Sequence, residues 1–149
     1  MLDDRDRPLA PRGKKAAKAI ARYLRREPIR PALVLCSSAK RARQTLERVL
    51  PSLGDDVPIE VNDELYTFDA DALVHRLRRV PAAVPSVLVV GHNPAMEDMV
   101  ERLTGHAVSF PTGALASLRI PVAWSRISPG ANAELVAFVT PRELRDAKR

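Results

Sequence analysis

The sequence has little cysteine and few aromatic residues, and each shortage excludes a class of protein. Its 149 residues include one cysteine, which excludes an intramolecular disulfide framework and a cysteine-based zinc knuckle. Aromatic residues make up 4% of the chain, too few for a module that stacks nucleic-acid bases. No apolar run approaches the roughly 18 residues of a membrane span, and the polar N-terminus lacks the apolar region of a secretory signal. We therefore expect a cytoplasmic protein with no membrane partner.

The rest of the composition is that of an ordinary globular protein. Hydrophobic residues make up 46% and charged residues 28% of the chain, and its length suits a single domain. A domain of about 150 residues buries roughly 68–70% of its unfolded surface. We therefore expect residues 1–149 to form one domain with its own core. The net charge of +6 favours anionic partners.

Short apolar runs alternate with helical patterns, which predicts an α/β fold with a largely parallel sheet. The predicted strands span residues 32–37, 58–62, 86–91, 114–120 and 134–139. The predicted helices span about residues 12–26, 39–50, 69–80 and 94–104, and residues 142–149 form a charged tail that we expect to fray. This order of elements predicts a three-layer α/β/α sandwich.

Polar residues follow two of the predicted strands at the point where each strand ends. The first strand along the chain ends at Ser37 and runs into Ser38 and Arg41, and the third ends at Gly91 and runs into His92. The carboxyl ends of parallel strands meet at one edge of a sheet, and each of these strands leads into a helix N-terminus, which favours an anion. The guanidinium of Arg41 fits phosphate oxygens, and His92 can donate to one. The pattern predicts a phosphate site.

Each candidate also has a plain structural interpretation. Arg41 can lie on a solvated helix face, and His92 can simply cap its helix. His75 lies off the apolar stripe of its helix and His106 follows a helix stop, so we expect both on the surface. Cys36 lies inside an apolar strand and is expected to be a buried, unreactive thiol.

Four stretches of the sequence carry a family resemblance, namely residues 7–13, 35–45, 89–94 and 110–115. The most specific parts are Ser-Ser-x-x-Arg-Ala-x-Gln-Thr and Gly-His-Asn-Pro, in that order. The chain resembles the histidine phosphatase superfamily, which is phosphoglycerate mutase-like, and within it the short SixA-like protein histidine phosphatases. The resemblance implies a phosphate pocket of two histidines and two arginines, in which the first histidine becomes phosphorylated.

The resemblance also implies roles for residues of this chain. Arg41 matches the second arginine of the pocket and His92 the second histidine, which makes both catalytic and substrate-binding residues that stabilise the transferring phosphoryl group. Ser38 and the loop residues Thr112 and Gly113 are expected to border the substrate. The resemblance implies no metal and no cofactor.

One part of the family pattern has no match in this sequence. The family opens with a strand ending in Leu-x-Arg-His, which supplies the nucleophilic histidine and the first arginine, yet no histidine precedes His75. Residues 1–7 are too polar for a central strand. We expect a fold without its first strand, either because the true start lies upstream or because the chain is a degenerate relative. Unpaired backbone and uncovered apolar side chains then predict a chain that folds poorly alone or aggregates.

The segment before the third predicted helix bears on the substrate. Mutase and acid-phosphatase branches of the family carry a general-acid glutamate in a longer insertion there, whereas Tyr66 leads almost directly into the helix. A phosphoramidate leaving group needs less acid assistance than an alkoxide, so the short connection favours phosphohistidine. Asp63 or Glu64 as an acid stays open, against the interpretation that both are solvated loop carboxylates.

Three functions are compatible with the sequence. The first is a phosphatase acting through a phosphohistidine enzyme intermediate on a phosphohistidine-bearing protein, such as a histidine-phosphotransfer domain, or on a small phosphorylated substrate. The second is a catalytically inactive phosphate- or phosphoprotein-binding relative. The third is a nucleic-acid binder using the basic face of the first helix, Lys14, Lys18, Arg22 and Arg26. We expect no nucleic-acid partner, and that face to be solvated or to dock an acidic protein.

Overall fold

Five strands form two separate sheets in a computed structural model, which describes residues 2–27 and 29–146. The strands are β1 (Leu33–Ser37), β2 (Ile59–Asn62), β3 (Val87–Val90), β4 (Leu115–Arg119) and β5 (Glu134–Val139). A parallel sheet has the order β2-β1-β3, and β4 and β5 form an antiparallel pair. The five strands match the predicted ones in position, but the sheet is parallel only in its first three strands.

The helices of the described residues are α1 (Pro11–Arg26), α2 (Lys40–Val49), α3 (Ala70–Arg78), α4 (Ala95–Thr104) and α5 (Pro141–Asp146). The first four correspond to the predicted helices. Pro11 occupies the first turn of α1, where the missing N–H costs nothing. Gly105 ends α4 in the left-handed conformation, at a φ of 80°.

The expectation of a fraying tail is wrong for residues 142–146, which belong to α5. The hydroxyl of Thr140 accepts a hydrogen bond from the Glu143 N–H at 3.2 Å and donates one to the Glu143 carboxylate at 3.0 Å. The Thr-x-x-Glu spacing is that of a capping box, which starts a helix by satisfying its free N–H groups. Leu144 then packs against the core. Residues 147–149 lie outside the described residues.

The side chains of β1 alternate between two cores. Leu33 and Leu35 pack with apolar residues of α3 and α4, whereas Val34 and Cys36 pack with those of α1 and α2. Every residue of β1 is buried, because the strand is central in its sheet and helices cover both faces. This arrangement confirms the predicted α/β/α sandwich.

The two sheets do not join. Within the part of the chain that the structure describes, β3 and β4 share no strand pairing. Two cavities, of about 400 and about 630 Å³, are lined by both strands, each including Leu88, Val89 and Leu115. The smaller cavity reaches Leu24 of α1 and the larger one reaches Leu103 of α4. β3 is therefore an edge strand that is only half-buried, as expected of a sandwich that lacks one strand.

Candidate functional site

The smaller cavity brings together four of the five predicted site residues. Arg41 reaches it from the first turn of α2, and His92 from the turn between β3 and α4. Thr112 and Gly113 line it from the loop before β4. Ser38 lies beside this group, half-buried, between β1 and α2. Three separate parts of the chain thus meet where β1 and β3 end.

The end of β1 fixes the start of α2. The buried hydroxyl of Ser37 accepts a hydrogen bond from the Ala39 N–H at 3.1 Å, which turns the chain out of the strand. The helix then begins at Lys40. Arg41 consequently lies in the first helical turn, where the positive end of the helix dipole adds to its own charge.

His92 is held in the wall of the cavity by hydrogen bonding and aromatic contacts. Its Nε2 lies 2.7 Å from the Ser37 hydroxyl oxygen. The rings of Tyr66 and Phe68 pack around it, with centroids 5.5 and 5.7 Å from that of the imidazole. Burial, together with the positive charge of Arg41, lowers the pKa of His92 to about 4. The imidazole is therefore neutral at pH 7 and carries one N–H that can donate.

Two side chains near His92 hold the loop that closes the cavity. The side-chain amide of Asn93 donates to the Phe110 carbonyl at 2.9 Å, and the Glu97 carboxylate accepts from the Phe110 N–H at 3.0 Å. Further along the loop, Gly113 has a φ of 79°, and a Cβ there would lie 2.5 Å from the Cβ of Ala16. Only glycine suits that position, so the loop packs tightly on α1.

The turn at Asp4–Asp6, here named the N-terminal turn, lies against the site and contacts Arg41. Asp4 forms hydrogen bonds with Arg41 and Tyr66, and Arg5 donates to the Ser38 hydroxyl at 2.8 Å. Neither this turn nor the contacts of Ser37, Tyr66 and Phe68 with His92 were predicted from the sequence. Ser37 alone had a signal, since it ends a strand beside the predicted Ser38.

The remaining candidates of the sequence lie as expected. His75 and His106 are exposed. Cys36 is buried, and burial raises the pKa of its thiol to about 11, so it is unreactive. Asp63 and Glu64 are exposed carboxylates of the loop.

Those two carboxylates are ion-paired rather than aimed into the cavity. Glu64 pairs with Arg79 at 2.6 Å, and Asp63 pairs with Arg5. The hydrogen bonds from Arg79 hold the pKa of Glu64 below its ordinary value. Glu64 is thus ionised at neutral pH and has no proton to give to a leaving group. Tyr66 leads into α3 at Ala70 with no insertion between them.

Residues 2–27 and 29–146 contain neither a candidate metal cluster nor a helix suited to span a membrane. No three or more histidine, cysteine, aspartate or glutamate side chains cluster there in a way that would hold a metal ion. No helix in these ranges has the length and apolar character needed to cross a membrane.

Comparison with known proteins decides the family. The sequence model of the histidine phosphatase superfamily (branch 1) matches residues 2–76. Protein Rv1276c of Mycobacterium tuberculosis strain H37Rv is 37% identical over 152 residues, covering 95% of this chain and 93% of its own length. The chain belongs to the histidine phosphatase superfamily. This confirms the resemblance seen in the sequence.

Comparison with solved structures shows that the fold is similar to that of SixA proteins. A SixA from Nakamurella multipartitia has a TM-score of 0.78 at 30% identity, covering 95% of this chain and 88% of its own. The protein histidine phosphatase SixA complexed with tungstate has a TM-score of 0.80 at 28% identity, covering 97% and 90%. The fold is therefore SixA-like, and within the superfamily it is phosphoglycerate mutase-like.

Proposed function

We propose that this chain is a phosphatase that removes the phosphoryl group from phosphohistidine on a protein, through a phosphohistidine enzyme intermediate. The observation that carries the proposal is that Arg41 and His92, from two different strand ends, line one cavity. The likeness to a SixA complexed with tungstate supports it, because tungstate is a tetrahedral oxyanion shaped like phosphate.

Arg41 and His92 contribute different interactions to holding the phosphoryl group. Arg41 offers two terminal N–H groups and a permanent charge, which suit two phosphoryl oxygens at once. His92 offers one N–H from a neutral ring. Both act in a half-buried cavity, where charge stabilisation is stronger than in water, and so oppose the charge that develops during transfer.

The reaction proceeds by two substitutions at phosphorus. In the first, a histidine nitrogen of the enzyme bonds to phosphorus while the P–N bond of the substrate breaks, and the proton that the attacking imidazole gives up passes to the leaving imidazole. In the second, water bonds to phosphorus, the enzyme P–N bond breaks, one water proton passes to the freed imidazole, and inorganic phosphate leaves. Because imidazole leaves readily, the first step needs no dedicated carboxylic acid, in keeping with the ionised Glu64.

The nucleophile of this scheme is the histidine that the family carries at the end of its first strand. Of the three histidines in this sequence, His92 is engaged by Ser37, and His75 and His106 are exposed away from the cavity. The cleft between β3 and β4, which contains the two cavities, offers a place for that strand. A strand seated there parallel to β3 would end beside His92, as β3 does.

The rim of the cavity supports a substrate carried on a protein. The connection from Tyr66 to α3 is short, and Phe68 at the rim is 49% exposed. The short connection and the exposed Phe68 leave room for a phosphohistidine that projects from a folded partner, such as a histidine-phosphotransfer domain. Small phosphorylated compounds also fit, and the assay below compares the two classes.

The test is phosphate release from a phosphohistidine-labelled phosphotransfer domain and from a small phosphate ester. A version of the chain that carries an apolar strand ending in Arg-His before residue 1 is expected to release phosphate from the labelled domain. Arg41→Ala and His92→Ala in that version are each expected to lose at least about 100-fold, the scale of one electrostatic donor. His75→Ala, an exposed histidine, serves as the matched control. Unchanged rates in both site variants would refute the assignment.

A second function is favoured by one observation, namely that no other histidine of the sequence lies at the cavity with His92. On that basis the chain binds a phosphoryl group or a phosphoprotein without hydrolysing it. The discriminating result is retention of the labelled domain with no phosphate release and no phosphorylated enzyme, even in the version that carries the added strand.

A further inference from the structure

The N-terminal turn is tied to the candidate site at two points. At one point, Asp4 binds Arg41 and Tyr66. At the other, Arg5 donates to the Ser38 hydroxyl at 2.8 Å and pairs with Asp63. Of these partners Arg41 lines the cavity and Tyr66 packs against His92, so the turn lies against the site on the side of Arg41.

The Asp4 carboxylate meets donors of the kind that an oxyanion requires. Its Oδ2 accepts from Arg41 Nη2 at 3.0 Å and from the Tyr66 hydroxyl at 2.5 Å, while its main-chain oxygen accepts from Arg41 Nη1 at 2.8 Å. One residue thus engages both terminal nitrogens of Arg41, the pair with which arginine grips a phosphate. The hydrogen bond from Tyr66, with others from Arg7 and Arg41, holds the pKa of Asp4 well below its usual range. Asp4 is therefore a permanent anion.

We propose that Asp4 is a built-in ligand of the anion site and that the N-terminal turn is a strap which an incoming phosphoryl group displaces. The inference rests on the proposed function, because it takes Arg41 as a phosphoryl-binding residue. In the closed state Asp4 neutralises Arg41. The measured affinity for a phosphoryl group is then the outcome of a competition between two anions for one guanidinium.

This competition determines which substrates the site accepts. Free phosphate and small esters contact little beyond the pocket, so they bear the whole cost of displacing Asp4. A phosphohistidine on a protein brings further contacts outside the pocket, and these can offset the displacement. The strap therefore favours phosphorylated proteins over free phosphate, which also limits inhibition by the reaction product.

The opposite role for Asp4 makes the opposite prediction. If Asp4 is a positioning residue that holds Arg41 in the correct orientation, its removal weakens binding of an oxyanion. If it is a competing ligand, its removal strengthens binding. The sign of one affinity change therefore separates the two roles.

The experiment measures the dissociation constants of tungstate and of inorganic phosphate by calorimetry, at concentrations where light scattering shows a monomer. Asp4→Asn is expected to bind both about tenfold more tightly than the unmodified chain, which corresponds to about 1.4 kcal/mol. Asp6→Asn makes the same charge change at an exposed position of the same turn and is expected to stay within about twofold. An equal or weaker affinity in Asp4→Asn overturns the strap.

A second variant removes the other attachment of the turn. In this variant the change in charge alone would weaken anion binding, whereas release of the turn would strengthen it. Arg5→Gln unties the turn from Ser38 and Asp63 but removes a positive charge, which by general electrostatics weakens anion binding. The strap predicts tighter binding instead. Arg12→Gln, an exposed arginine of α1, removes the same charge and is expected to bind slightly more weakly. Weaker binding in both arginine variants contradicts the strap.

The result separates failure of the strap from failure of the proposed function. The strap alone is wrong if three results are found together: the unmodified chain binds oxyanion, Arg41→Ala abolishes that binding, and Asp4→Asn does not improve it. The anion site then stands. If neither the unmodified chain nor Asp4→Asn binds either oxyanion, the anion site itself is refuted and the strap with it. Circular dichroism melts of each variant establish that it is folded.

Discussion

Ser37 and His92 lie far apart in the sequence, yet the Ser37 hydroxyl oxygen is 2.7 Å from His92 Nε2. The same hydroxyl accepts the Ala39 N–H. One buried oxygen thus orients the imidazole and also shapes the turn that starts α2, from which Arg41 extends. The two halves of the proposed phosphoryl site are therefore coupled through a single serine.

Removing this hydroxyl is expected to impair both halves. Ser37→Ala leaves the Ala39 N–H and the imidazole without their partner in a buried place, which costs about 1–3 kcal/mol of stability. We expect tungstate affinity to fall about tenfold, measured by calorimetry. Ser125→Ala, which removes an exposed hydroxyl, is the matched control. Full affinity in Ser37→Ala would show that His92 does not depend on Ser37.

The buried imidazole predicts how stability depends on pH. Burial lowers the pKa of His92 from an ordinary 6.5 to about 4, so between these values the unfolded chain binds the proton and the folded chain does not. The free energy of unfolding therefore falls as the pH drops from 6.5 to 4, by up to about 3 kcal/mol from this residue. Urea titrations over that range should show a shallower dependence for His92→Gln. His75→Gln, at an exposed position, should keep the full slope.

Substituting Gly113 and Gly105 by alanine separates two contributions to the loss of stability. One is the backbone strain of a positive φ, and the other is the steric clash of the added Cβ. Both glycines have a positive φ, 79° and 80°, but a Cβ at Gly113 would meet Ala16 at 2.5 Å, whereas nothing lies within 4 Å at Gly105. Gly105→Ala should cost about 1 kcal/mol from backbone strain alone. Gly113→Ala should cost at least about 1 kcal/mol more, because the loop or α1 must move. Equal losses of unfolding free energy in urea denaturation would mean that the loop shifts to accommodate the added Cβ at no measurable cost.

The half-buried β3 predicts self-association. Its edge next to the cleft carries apolar side chains and unpaired backbone groups, which can pair with another chain. We expect light scattering to rise with protein concentration and a dye for exposed apolar surface to bind. Leu88→Lys, which adds a charge beside the cleft, should reduce the scattering, whereas Val61→Lys, at an exposed position of β2 that lines neither cavity, should not. A cooperative melt of a persistent monomer would contradict this.

Much of the fold could be predicted because local signals agree with the final structure. Apolar runs such as that of β1 are bounded by proline, glycine or polar residues, and those boundaries are where the strands end. The meeting of Arg41 and His92 at one cavity follows from topology, since the ends of neighbouring parallel strands share one edge of the sheet. The roles of both residues in phosphoryl transfer stay a prediction.

Other parts of the site could not be predicted from local pattern. Ser38 was predicted to border the substrate, but Ser37 is the serine that contacts His92. Which of the two faces His92 depends on the register of β1 in the sheet, and the local sequence does not give that register. Asp4 lies in a short polar segment whose path depends on contacts with Arg41 and Tyr66, and no motif marks it. The capping pair of Thr140 and Glu143 did carry a local signal, and with it α5 was predictable.

The separation of the two sheets has a consequence for the motions of the molecule. The β4–β5 hairpin is joined to the parallel sheet by side-chain packing, with Gly113 against Ala16 and α5 against α1, and not by a continuous ladder. Opening the hairpin therefore breaks few main-chain hydrogen bonds outside it. Amide protons of residues 115–119 and 134–139 should exchange with deuterium together and well before those of β1, so that the hairpin opens as a unit of its own.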